Sequence, residues 1–77
     1  MDLHNIHGTE MGFHHETEGA IKFLKESVHS EAVKGFLDHA KEHGEYHFYD
    51  AKGEKYAIKH ELQDGKSNFS VEKAHNH

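Results

Sequence analysis

At Gly44 the spacing of apolar side chains switches from the helical period to the strand period, and this switch limits the fold more than any other feature. Ala20, Ile21, Leu24 and Val28 recur at three- and four-residue spacing, and Val33, Phe36, Leu37 and Ala40 repeat the pattern. Beyond Gly44 the alternation is by twos: Tyr46 and Phe48, then Tyr56, Ile58 and Leu62, then Phe69 and Val71. Helical segments followed by a run of short strands predict an α+β fold.

The helical half is two elements. At about 100° per residue, the Val33–Ala40 stripe is turned by roughly 120° from the Ala20–Val28 stripe, so one straight helix cannot bury both. The break falls near Ser30. Helices are predicted over 17–27 and 31–43, with Thr17 and Ser30 as N-caps and Gly44 as a left-handed C-cap. In the strand half, Asp50-Ala51-Lys52-Gly53 and Asp64-Gly65 read as turns between strands over 45–50, 54–62 and 66–73. The expected architecture is two helices packed on one face of a three-stranded antiparallel meander, in the order ααβββ. Residues 1–15 show no clean period and read as a His-rich N-terminal arm. Residues 16–74 form the single domain and 75–77 a frayed tail. The inward strand face should carry Tyr46, Phe48, Tyr56, Ile58, Leu62, Phe69 and Val71.

Composition bounds the function. Eleven of the 77 residues are His, so the formal charge runs from -5 with neutral imidazoles to +6 with all of them protonated. All nine basic residues are Lys, outnumbered by fourteen acids. Without the planar fork of Arg, and with a negative balance, the chain is a poor candidate for gripping nucleic acid. There is no Cys to form a disulfide or a thiolate metal site. The first residues carry no signal-peptide pattern, and no apolar run approaches the roughly 18 residues of a spanning helix. A cytoplasmic protein with no membrane partner is expected.

The chemistry-bearing patterns are few. His39 and His43, four apart on a helix, project to one side and can share one divalent ion, but no third ligand stands at fixed spacing. His4, His7, His14 and His15 can capture zinc or nickel adventitiously, and no dedicated cofactor is expected. His60-Glu61 lacks the second His of a metalloprotease helix, and no phosphate loop or nucleophile elbow is present. A small ribonuclease-like toxin would need His47, Glu61 and Lys59 to meet on the open sheet face, and it ranks third among the readings.

A non-enzymatic, acidic protein-binding module is the reading these residues favour. It would act as an inhibitor of the kind small phage-encoded proteins provide, offering carboxylates to the basic, nucleic-acid-binding groove of a partner protein. Tyr49 and His47 on the open sheet face, with Glu42, Glu45, Asp50 and Glu54, are the candidate contacts, and Glu31 and Asp38 belong to the same set. The alternative is a His-rich protein that binds divalent metal or senses pH, with His39 and His43 as ligands.

Overall fold

A computed structural model of the chain describes residues 2–74, so the tail expected over 75–77 lies outside the described residues. Strands β1 (Asp2–Ile6) and β2 (Thr9–Phe13) come first. Helix α1 (Glu18–Lys22) follows and runs into a wider π-helical turn over Phe23–Ser27. Helix α2 (Ser30–His43) and strands β3 (Glu45–Tyr49), β4 (Lys55–Gln63) and β5 (Lys66–Lys73) complete the order.

The three-stranded meander with an N-terminal arm is thereby corrected. The sheet has five strands in the order β1-β2-β5-β4-β3, and it is mixed. The segment expected to be an arm is a tight hairpin, pairing Asp2 with Phe13 through Ile6 with Thr9. Its two-residue turn is His7-Gly8, both at positive φ (50° and 94°), the pattern of a type I′ connection. The hairpin then docks onto the far end of the chain: β2 lies parallel to β5, with Met11, Gly12 and Phe13 against Phe69, Ser70 and Val71. The driving force is burial. Ile6 and Met11 are fully buried and Phe13 is nearly so, which an arm could not achieve.

Both helices cover one sheet face. Ala20 and Leu24 from the first helical segment meet Val33, Leu37 and Ala40 from α2 over Phe48, Tyr56, Ile58, Phe69 and Val71. Phe36 stacks on Tyr46 at 4.7 Å between ring centroids, and Phe23 stacks on Phe48 at 5.9 Å. Val28, with extended backbone (φ -118°, ψ 130°), separates the helices where the stripe changes phase. The capping differs from expectation. The Thr17 hydroxyl donates back to the His14 carbonyl at 2.7 Å rather than capping α1. His29, not Ser30, holds the N-cap position of α2, with no side-chain cap bond. Gly44 is the left-handed C-cap, at φ 88°.

The hairpin tip closes the end of the first helical segment. His7 Nε2 lies 2.9 Å from the Leu24 carbonyl and 3.0 Å from the Val28 carbonyl. Both partners are acceptors, so Nε2 carries the proton and donates to the two.

Leu62, expected inward, is 69% exposed. The β4–β5 ribbon outruns its neighbours: β3 reaches only as far as Lys59 and β2 only as far as Phe69, so the tip around Leu62 has no strand beside it. Among the described residues, no helix is long and apolar enough to cross a membrane.

Candidate functional site

With the helices on one face, two surfaces stand out to a partner: the outward side of α2 and the open face of the sheet. Helical geometry divides the first into rows. Val33, Leu37 and Ala40 are buried against the sheet. On the opposite side Glu31, Asp38 and Glu42 fall within about 40° of one another at 100° per residue, with Gly35 beside them. All three carboxylates are exposed, and none takes part in an ion pair among the described residues. Lys34 and Lys41 flank this acidic ridge on one side, and His39 and His43 flank it on the other.

The open sheet face differs at the start of β3, where the charged side chains pair with one another. Glu45 at the start of β3 accepts from His47 Nε2 at 2.8 Å and from Lys59 Nζ at 3.2 Å. Lys59 also reaches Glu72 at 3.6 Å. The bond from His47 and the Lys59 ammonium hold the Glu45 carboxyl below its usual range, and the Glu45 bond raises Lys59. Tyr49, 54% exposed, stands at the end of the edge strand beside this network.

The remaining expected contacts, Asp50 and Glu54, make bonds within the fold. Asp50 Oδ1 accepts from the backbone N–H groups of Lys52 and Glu54, both at 2.9 Å, and so fastens the β3–β4 turn. Its Oδ2 accepts from the Tyr56 hydroxyl at 3.4 Å. Burial, together with the nearby Asp50 charge, pushes the Tyr56 hydroxyl above its ordinary value. Glu54 pairs with Lys73 at 3.5 Å. The structure therefore gathers Glu45 and His47, separates them from Glu42 on the helix, and commits Asp50 to the turn. For the ribonuclease reading, His47 and Lys59 do meet, but around Glu45, while Glu61 pairs with Asn68 past the end of β3.

The His39 and His43 rings lie 4.5 Å apart between centroids, tilted by 40°, and Tyr46 sits edge-on to His39 at 5.1 Å. Among the described residues, no three His, Asp or Glu side chains converge so as to hold one ion.

One concavity escaped the sequence reading. Asp2 and His4 from β1 face His14, His15, Glu16 and Glu18 across a hollow of about 400 Å³ at the β2–α1 connection. The backbone there is tightly constrained. Glu16 takes a left-handed φ of 60°, and Thr17, 2% exposed, ties back to His14. Its hidden signal was Gly8: a hairpin turn there brings Asp2 and His4 beside Phe13 and the residues that follow it.

No family model, no curated protein and no solved structure matches this chain.

Proposed function

We propose that this chain is a small non-enzymatic protein-binding module that presents the α2 carboxylates to a basic surface of a partner protein. The observation that carries this reading is the state of the carboxylates. Glu31, Asp38 and Glu42 are exposed, lie in one row and are unpaired among the described residues, whereas Glu45, Asp50 and Glu54 spend their charge inside the fold. The contact set narrows accordingly to Glu42 with Glu31 and Asp38. Tyr49 and His47 form a separate surface on the other face.

A rigid helix is a suitable carrier for such a row. Its backbone is fixed by internal hydrogen bonds, so ordering costs on binding fall mainly on the side chains. An exposed ion pair contributes only about 0.2–1 kcal/mol, so three of them set register and association rate more than affinity. Apolar contact must supply the rest, and exposed Ala32 and half-buried Phe36 border the histidine flank of the ridge.

The test compares two neutralised variants as immobilised baits in a lysate of the cells that make the protein. One carries Glu31→Gln, Asp38→Asn and Glu42→Gln; the other carries Glu61→Gln and Glu72→Gln on the open sheet face. Specific capture should be lost with the first and kept with the second. Capture that survives neutralising the ridge overturns the reading.

A further inference from the structure

We infer that His39 and His43 form half of a divalent-metal site, completed by the same pair from a second copy of the chain, so that zinc joins two copies through α2. The starting point is the geometry of the pair. Zinc bound tetrahedrally at ~2.0–2.1 Å places two imidazole nitrogens roughly 3.4 Å apart and the ring centroids roughly 5 Å apart. The centroids here stand at 4.5 Å, within about 1 Å of that spacing. Both side chains are exposed, which leaves room for the rings to open to that spacing.

The surroundings favour a cation. Both residues lie in the C-terminal half of α2, where the helix carbonyls present partial negative charge, and Asp38 and Glu42 stand on the adjoining row. Lys41, the nearest cation of the last turn, projects to the opposite flank, with its ammonium 5.8 Å from the Phe69 ring centroid. Tyr46 packs edge-on against His39 and limits the orientations of that ring.

Among the described residues, one chain brings no further ligand to the pair. Zinc in a closed site takes four. Water could fill the vacant positions, giving a weak two-ligand site. A second copy offers two more imidazoles in the same arrangement, and an isologous pairing about a two-fold axis supplies all four. The ion's charge also offsets the repulsion between the two acidic rows that such a pairing brings together.

Mass measured by light scattering during size exclusion, with and without zinc chloride at about pH 7.5 where imidazole is mostly neutral, tests this directly. Other histidines compete for metal, so three variants accompany the wild type. The first is His39→Ala with His43→Ala. The second replaces His4, His14 and His15 by Ala, and the third replaces His75 and His77 by Ala. Circular dichroism checks that each is folded, and alanine at the exposed helical positions of His39 and His43 should not impair the fold. Zinc should double the mass of the wild type at one ion per two chains, and a chelator should reverse it. The doubling should persist in the second and third variants and vanish in the first. Doubling that survives loss of His39 and His43, or zinc binding with no change of mass, overturns the inference.

Discussion

The hairpin at the start of the chain offers the sharpest contrast between two substitutions. Met11 and Leu3 are both apolar and both lie in the segment whose sequence reads as an arm, yet Met11 is fully buried and Leu3 is 63% exposed. Met11 sits between His4 of β1 and Phe69 of β5, in the only parallel pairing of the sheet among the described residues. Met11→Ala removes buried methylene and thioether groups and leaves a cavity that close-packed neighbours fill only in part, a loss of about 2–5 kcal/mol. A chain of 77 residues has roughly 4–12 kcal/mol of stability in total. At ~4–8 °C per kcal/mol, the melting temperature should fall by roughly 8–40 °C. Leu3→Ala should stay within about 0.5 kcal/mol of wild type. Urea unfolding followed by circular dichroism at neutral pH measures both. If the two variants unfold together with the wild type, the first strands are not part of the core and the five-stranded sheet is wrong.

Two glycines should respond in opposite directions. A Cβ at Gly19 would meet Asp50 Oδ2 at 2.7 Å and the Tyr56 hydroxyl at 2.8 Å, and Asp50 is held by two backbone N–H groups, so Gly19→Ala should cost about 1–3 kcal/mol. Gly35 lies inside α2 with open space around it, and Gly35→Ala should stabilise by ~0.5–1 kcal/mol in the same unfolding measurement. Alkaline pH gives a further check. Tyr56 is raised above its ordinary value of 10.0, so its contribution is complete below that value and is lost as pH rises through the folded pKa. Melting temperatures from pH 8 to 11 should therefore fall more steeply for the wild type than for Tyr56→Phe, and parallel slopes would contradict the assignment.

The sequence made the helices and the β4–β5 hairpin legible because each announces itself locally. The stripe changes phase near Ser30, just after the extended Val28, Gly44 ends α2, and the Asp64-Gly65 dipeptide sits where two alternating runs meet, at φ 51° and 77°. The N-terminal strands give weaker signs. The inward side of β1 carries Asp2 and His4 as well as Ile6, which hides the alternation, and His4 is accommodated by an edge-on contact with Phe13. Their pairing with β5 joins opposite ends of the chain, so no local pattern marks it. Leu62 failed for the converse reason: alternation fixes which side a residue faces, but not whether anything lies over that side. The bonds that some candidate contacts make within the fold were hidden in the same way. Nothing in the spacing of Asp50 and Glu54 showed that turn amides and Lys73 would claim them, whereas the helical spacing of Glu31, Asp38 and Glu42 already placed them in one row.

The most direct test of the central claim, that the α2 ridge is the docking element, is to titrate the isotope-labelled protein with its captured partner and follow backbone amide shifts at pH 7.5 and low salt. The account predicts that the largest changes run along Glu31, Gly35, Asp38 and Glu42 and shrink as salt is added, because exposed charge pairs are screened beyond roughly 8–10 Å at physiological ionic strength. Changes centred on His47 and Tyr49 of the open sheet face, with the ridge amides unmoved, would contradict it.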